Sequence, residues 1–146
     1  MHGNNRAKAQ QGFTLIEIMI VVVILGVLAA LVVPNMIGKA GDARQVAATS
    51  DLRAIANALE MYRLENYTYP STDQGLKALV QEPGGYPPAP HWNVNGYLRK
   101  LPKDPWGRGY LYISPGNENS FDLLTLGGDG RTGGVEEATD ISLADL

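Results

Sequence analysis

The stretch "GFTLIEIMIVVVILG", residues 12–26, carries one carboxylate, Glu17, within an otherwise apolar run. Sixteen consecutive residues, 18–33, are apolar or glycine, and the 21 residues from 13 to 33 contain that single charge. As a helix this stretch would be about 32 Å long, enough to cross the hydrocarbon core of a bilayer. A charged residue at the centre of a membrane helix costs about 2.5–3.5 kcal/mol on insertion scales, so Glu17 requires an explanation.

Length, charge and cysteine content limit the classes of protein that are possible. The 146 residues leave room for one modest domain beside the apolar segment, and the net charge is −3. Cysteine is absent, which excludes a disulfide framework and a thiolate metal site. Arg6 and Lys8 precede the apolar run and the next basic residue is Lys39, which predicts a cytoplasmic N-terminus and an exported remainder. An acidic exported domain is a poor candidate for binding nucleic acid.

Three interpretations of the N-terminal segment are possible. A cleavable signal peptide fits the basic start but lacks the small-residue cleavage site, and a plain signal anchor fits the length, yet neither explains Glu17. Cleavage between Gly12 and Phe13 would instead create an α-amine, with a pKa of about 8, four residues from Glu17. That amine could pair with Glu17 of a neighbouring copy, and the pairing would offset the desolvation of both charges. The hypothesis is that Glu17 sets the register of a helical polymer.

The N-terminal motif resembles a known class of export signal. "QGFTLIEIMIVVVILGVLAALVVP", residues 11–34, is similar to the class III signal segment of type IV pilin-like proteins, in which a short basic leader ends in glycine before Phe-Thr-Leu-Ile-Glu. The resemblance implies cleavage after Gly12 by a membrane prepilin peptidase, which also N-methylates Phe13. It also implies an assembly role for Glu17, and it matches Pro34 to a proline that the family has at the corresponding position. Loss of residues 1–12 leaves ten basic and fifteen acidic residues, a net charge of −5.

The residues after the apolar run predict a second helical segment with a different surface. Pro34, Gly38 and Gly41 weaken a helix by about 3 kcal/mol for proline and 1 kcal/mol for glycine, which predicts a kink or locally melted stretch over residues 34–41. From residue 42 to 65 the pattern becomes amphipathic and predicts a helix whose apolar face covers a globular head. The positions on that face are Leu52, Ile55, Leu59 and Tyr62.

The rest of the chain predicts short elements joined by turns. "YPSTDQGLKALV", residues 69–80, predicts a turn, a helix cap and a short helix. Residues 81–97 contain four of the nine prolines and predict a loop. "YLYIS", residues 110–114, and "FDLLTL", residues 121–126, flank "PGNEN" and predict an antiparallel hairpin.

No constellation of residues indicates catalysis. The two histidines, His2 and His91, have no cysteine or histidine partner pattern for a nucleophile or a metal centre, so no enzymatic activity is expected. "LRKLPKDPWGRG", residues 98–109, holds four basic residues. It is interpreted as a solvated basic edge and not as a nucleic-acid patch, because Asp104 interrupts it and the processed chain is acidic.

The C-terminal segment is acidic and leaves two interpretations open. Residues 122–146 carry six carboxylates against one positive charge, Arg131. "DGRTGGVEEATD", residues 129–140, half-resembles an EF-hand loop, but Arg131 and Gly133 occupy places where oxygen ligands belong. The segment is either a solvated acidic surface or a calcium site built from carboxylates and backbone carbonyls.

A second resemblance extends over nearly the whole chain. Residues 69–80, "GYLRKLPKDPWGRGYLY" (96–112) and "FDLLTLGGDG" (121–130) are together similar to the major pseudopilin family of the type II secretion system. The family implies a calcium site in the C-terminal loop. Carried over by position, its ligands are the carbonyl oxygens of Leu126 and Glu137 and the side chains of Asp129, Glu136 and Asp140. Glu136 departs from the family, which more often has Asp there.

The resemblance implies a type IV pilin-like α+β fold, in which a long N-terminal helix packs on a small antiparallel sheet with a C-terminal calcium loop. It divides the chain into a cleaved leader (1–12), a transmembrane and filament-core helix (13–34) and a periplasmic head (35–146) that includes the second half of the helix. The implied function is the major structural subunit of a periplasmic pseudopilus, extracted from the inner membrane, whose growth exports folded proteins across the outer membrane.

The implied partners are further copies of the chain, minor pseudopilins, the prepilin peptidase and the inner-membrane assembly platform of the secretion system. The membrane is a further partner and nucleic acid is not. The chain has no P-loop, so the energy for assembly would come from a separate ATPase. The alternative is a type IV pilus or competence pilin, many of which close their C-terminal region with a disulfide that this chain cannot form.

Overall fold

The computed structural model describes residues 13–146, with side chains described for residues 13–31 and 39–146. The predicted leader, residues 1–12, and with it Gly12, lies outside the described residues. The described part of the chain divides into two units between Lys39 and Ala40. The second unit falls within residues 35–146, and the division of the chain into a leader, a membrane helix and a head stays a prediction.

The principal helix, α1, spans Leu15–Asn66 and contains 52 residues. Its backbone is helical through residues 34–41, so the local melting that Pro34, Gly38 and Gly41 predict is not observed. A proline in a helix removes a single backbone hydrogen bond, and the helical turns on either side add one bond for each residue. Propagation of the helix therefore outweighs the cost of these three residues.

Within the head, one face of α1 forms the centre of the hydrophobic core. Leu52, Ile55, Leu59 and Tyr62 are each 0% exposed, as the three- and four-residue spacing predicts. They pack with Leu79, Leu123 and the tyrosines of the sheet in one cluster of buried side chains. The burial of this stripe holds the sheet against the helix.

The sheet has three antiparallel strands in sequence order, β1 (Leu111–Ile113), β2 (Asp122–Thr125) and β3 (Ile141–Ser142). Tyr112 pairs with Leu123 across the hairpin, and both side chains face the core. The hairpin is the predicted one, and the α+β fold is confirmed. β3 was not predicted, and it places the end of the acidic segment beside Thr125 of β2.

Short 3-10 helices and one loop complete the head. The 3-10 helices are Leu76–Leu79, Glu136–Ala138 and Leu143–Asp145, and the first of them is the predicted short helix. α1 ends before Tyr67, whose φ of 67° is left-handed. The buried amide of Asn66 then anchors the proline-rich loop, because it donates to the Tyr97 hydroxyl (2.9 Å) and accepts from the His91 N–H (3.1 Å).

Candidate assembly segment and metal centre

Phe13 precedes α1 and Glu17 lies within it, and both residues are exposed. Phe13 is 78% exposed, and Glu17 lies in the first turn of the helix. The N–H of Glu17 donates to the hydroxyl of Thr14 at 3.3 Å, so Thr14 caps the helix. The T-x-x-E spacing of residues 14–17 is the sequence signal for this cap, which was not among the predicted features. A carboxylate in the first turn also suits the helix dipole, which gives Glu17 a local role beside its predicted role in assembly.

The apolar residues that follow are exposed on every side of the helix. The large apolar side chains from Phe13 to Leu31 are 47–78% exposed. In the described part of the chain, residues 13–31 and 39–146, no helix combines the length and apolar composition of a membrane span. A monomeric soluble protein rarely exposes a continuous apolar surface of this extent, so these residues require partners that cover them.

The acidic loop, residues 126–140, leaves the end of β2 and returns to β3. Gly128 donates its N–H to the carbonyl of Glu137 at 2.6 Å, which closes the base of the loop. Gly127 has a φ of 60°, and a Cβ at this position would lie 2.5 Å from the carbonyl oxygen of Thr139. Only glycine fits there, so the two ends of the loop can pack backbone against backbone.

Two of the predicted ligand carboxylates organise turns within the loop. Asp129 accepts a hydrogen bond from the N–H of Arg131 at 3.0 Å, and Asp140 accepts one from the N–H of Gly133 at 2.8 Å through Oδ2. The second oxygen of Asp140, Oδ1, is buried and has no hydrogen-bond partner among the described residues. A buried carboxylate oxygen without a partner is costly, and a bound cation would satisfy it.

The other two acidic residues of the loop contact α1. The carbonyl of Glu136 accepts a hydrogen bond from the side chain of Gln45 at 2.7 Å, and the backbone of Glu136 is left-handed, with a φ of 54°. The Glu137 carboxylate forms an ion pair with Arg44 at 3.1 Å. The side chain of Glu137 is therefore engaged with the helix, and its carbonyl accepts the Gly128 N–H at the base of the loop.

The structure does not bring the predicted side-chain ligands together into one site. Among the residues that the structure describes, no three His, Cys, Asp or Glu side chains lie close enough together to hold a metal ion. Asp129, Glu136 and Asp140 are accordingly not gathered into one cluster of carboxylates. Calcium binds carbonyl oxygens as well as carboxylates, and a glycine-rich loop with an unpartnered Asp140 oxygen offers both.

Residues 98–109 were interpreted as a solvated basic edge interrupted by Asp104, and Asp104 itself is buried. The side chain of Asp104 is 1% exposed and that of Arg108 is 39% exposed. Arg108 donates to the carbonyl of Gly127, at the start of the acidic loop. The sequence "DPWG", residues 104–107, has the pattern of a type I turn, and the N–H of Gly107 donates to the carbonyl of Asp104 at 2.8 Å. The contact between Arg108 and Gly127, in contrast, joins residues that are far apart in the sequence.

Two family models together match most of the chain. The family "Type II secretion system (T2SS), protein G" matches residues 35–144, and a prokaryotic N-terminal methylation motif matches residues 7–33. The type II secretion system core protein G of Pseudomonas aeruginosa is 55% identical over 134 residues, which are 92% of this chain and 94% of that protein. The core protein G of Vibrio cholerae is 50% identical over 136 residues, which are 93% of this chain and 92% of that protein.

A solved structure shows the same fold. The crystal structure of the major pseudopilin from the type 2 secretion system of enterohaemorrhagic Escherichia coli superposes with a TM-score of 0.68 at 40% identity. The match covers 79% of this chain and 98% of that one. By the matched family region and by the similarity of its relatives over almost their full length, the chain belongs to the protein G family of the type II secretion system.

Proposed function

We propose that the chain is the major structural subunit of a type II secretion pseudopilus, a homopolymer whose growth in the periplasm drives the export of folded proteins across the outer membrane. The observation that carries this proposal is the exposure of the apolar side chains from Phe13 to Leu31, which is 47–78% in the single chain. Identical helices packed side by side would cover that surface. The relatives' names, core protein G and major pseudopilin, support a structural rather than a catalytic role.

The proposed maturation begins with cleavage after Gly12 and methylation of Phe13 by the prepilin peptidase. The methylation motif matched over residues 7–33 supports this step. The new amine of Phe13 then pairs with Glu17 of a neighbouring subunit, and the pairing sets the stagger between the two helices. A charge that is costly alone and tolerable in a bundle favours the assembled state.

The proposed location before assembly is the inner membrane, with residues 13–34 among the lipids and residues 35–146 in the periplasm. The single charge between residues 13 and 33 and the basic residues ahead of them support this orientation. Pro34 marks the end of the apolar half, where the helix enters the head. The assembly platform extracts the subunit into the fibre, and minor pseudopilins complete the fibre; nucleic acid has no part in this function.

The proposed cofactor is calcium in the acidic loop. Carboxylates of Asp129 and Asp140, the side chain of Glu136 and the carbonyls of Leu126 and Glu137 would hold it. The buried, unpartnered Oδ1 of Asp140 supports this assignment. A bound calcium ion supplies a centre of positive charge that ties the two ends of the loop together, which stiffens the head.

Expression of the full chain in a secretion-competent strain that lacks its own protein G tests the proposed function. We expect sheared fibres that contain the chain, and an N-terminus that mass spectrometry identifies as methylated Phe13. The matched control is Gly12→Leu, which should keep the leader and form no fibres. A wild-type chain that retains residues 1–12 and restores secretion without entering a fibre would contradict the proposal.

A further inference from the structure

A buried carboxylate anchors the turn between residues 104 and 108. One oxygen of Asp104 accepts hydrogen bonds from the N–H groups of Trp106 (3.1 Å) and Arg108 (2.8 Å). The other oxygen accepts the hydroxyl of Thr125 at 2.6 Å and lies 3.7 Å from Nε of Arg108. With 1% of its side chain exposed, Asp104 fixes both the shape of the turn and the direction of the Arg108 guanidinium.

The same turn contacts the first half of the acidic loop at three further points. The guanidinium of Arg108 donates to the carbonyl of Gly127, and it lies 3.0 Å from the position that a Cβ of Gly130 would occupy. The indole nitrogen of Trp106 lies 3.2 Å from the corresponding position at Gly128. These contacts surround two of the five proposed ligands, because Leu126 lies between Thr125 and Gly127, and Asp129 lies between Gly128 and Gly130.

We propose that Asp104 and Arg108 are positioning residues for calcium, which hold the backbone of residues 125–130 in the arrangement that binds the ion. The inference rests on the proposed calcium site and extends it to residues that are not ligands. Asp104 also neutralises Arg108, so the guanidinium can approach an acidic loop without adding a net charge that would repel a cation. Arg108 therefore acts by fixing geometry and not by its charge.

Charge and geometry predict opposite effects for the same substitution. Removal of a positive charge beside a cation site should strengthen calcium binding if charge dominates. Removal of the group that bonds to Gly127 and lies beside Gly130 should weaken binding if geometry dominates. Arg108→Met removes both the charge and the contacts. Arg131→Met removes a charge from the same loop but leaves the main-chain N–H of Arg131 bonded to Asp129.

Calcium titration calorimetry on the full chain in detergent measures the dissociation constant for wild type and both variants, and thermal melts in chelator measure the stability of the metal-free protein. We expect Arg108→Met to weaken calcium binding by about tenfold or more, equivalent to about 1.4 kcal/mol, and Arg131→Met to leave it unchanged or tighter. Arg108→Lys keeps the charge on a single donor group and should weaken binding by an intermediate factor. It also keeps the test valid if Arg108→Met fails to fold.

Three results would overturn the inference. If Arg108→Met lowers the melting temperature equally with calcium and with chelator, and binds calcium as tightly as wild type, the residue only stabilises the fold. If both arginine variants bind more tightly, charge dominates and positioning is wrong. A wild-type chain that binds no calcium overturns the calcium site together with this inference, but leaves the fibre proposal intact, because that proposal is read from fibres and N-terminal processing.

Discussion

The hydroxyl of Thr125 donates a 2.6 Å hydrogen bond to the carboxylate of Asp104, and the two residues are 1% and 3% exposed. Twenty-one residues separate them in the sequence. This bond joins the end of β2 to the turn that precedes β1. It therefore fastens the sheet at the point where the acidic loop begins.

Thr125→Val should destabilise the protein by about 1–3 kcal/mol, because the shape is kept while a buried carboxylate loses a donor. Urea unfolding of the full chain in detergent, followed by circular dichroism, measures the change. The matched control is Thr132→Val in the exposed part of the acidic loop, for which we expect a change within about 0.5 kcal/mol. Equal effects of the two substitutions would show that the bond to Asp104 contributes little.

Leu59→Ala should reduce the free energy of unfolding by about 2–5 kcal/mol, because Leu59 is 0% exposed and its loss leaves a cavity against the sheet. Leu64→Ala lies on the same helix with 68% exposure and should change stability by less than about 0.5 kcal/mol. The comparison uses the same chemical change and the same unfolding assay. A similar loss for both variants would contradict the assignment of the core face.

The core of the head was predictable because helical spacing is a local property. Leu52, Ile55, Leu59 and Tyr62 follow the 3.6-residue period, and the hairpin follows from a Pro-Gly turn between two apolar runs. β3 was not predictable, because its two residues, Ile141 and Ser142, form a strand only by pairing with β2. Nothing in their local sequence indicates that partner.

The residues that contact the candidate loop from outside were harder to predict than the residues proposed as its ligands. Resemblance supplied Asp129 and Asp140, whereas the burial of Asp104 depends on Thr125 and could not be read from a segment rich in lysine and arginine. The helix through Pro34 is a second case. Propensity counts the cost at one residue, whereas the stability of α1 is distributed over many turns.

Glu17→Gln should leave cleavage after Gly12 intact and strongly reduce fibre yield, because the amide removes the charge that pairs with the Phe13 amine of a neighbour. Thr14→Ala separates this role from capping, since it removes the hydroxyl that accepts the Glu17 N–H and keeps the carboxylate. We expect Thr14→Ala to retain most of the fibres. Fibre yield from sheared cells is the measurement, and normal yield from Glu17→Gln would exclude the pairing.

The head should lose stability above pH 10, because Tyr97, which is partly buried, and Tyr112, which is buried, resist ionisation. Burial, and then the hydrogen bond to Glu65, raises the pKa of Tyr97 from 10.0 to about 12, and burial raises the pKa of Tyr112 to about 12 as well. The unfolded chain releases these protons near pH 10, whereas the folded chain keeps them until about pH 12. The stability contributed by the neutral tyrosines is therefore complete below pH 10 and is lost as the pH rises toward 12.

Tyr97→Phe should make this alkaline decline shallower, even if it lowers stability at neutral pH. Urea unfolding at intervals between pH 8 and 12 gives the slope. Tyr86→Phe is the control, because Tyr86 is 86% exposed and its substitution should leave the slope unchanged. An identical slope for Tyr97→Phe and wild type would show that Tyr97 does not contribute to the decline.

Calcium should raise the melting temperature of the full chain in detergent by several degrees, and magnesium should raise it less, because magnesium gives up its water ligands reluctantly. Binding to the folded state alone adds about 2.7 kcal/mol at a hundredfold excess over Kd.

Asp140→Asn should abolish most of the stability that calcium adds, because it changes the carboxylate whose Oδ1 is buried without a partner. Asp145→Asn, at an exposed position in the last 3-10 helix, should retain it. If calcium stabilises Asp140→Asn as much as wild type, the ion binds elsewhere; if it stabilises neither, the acidic loop is a solvated surface and the unpartnered oxygen of Asp140 is satisfied by water.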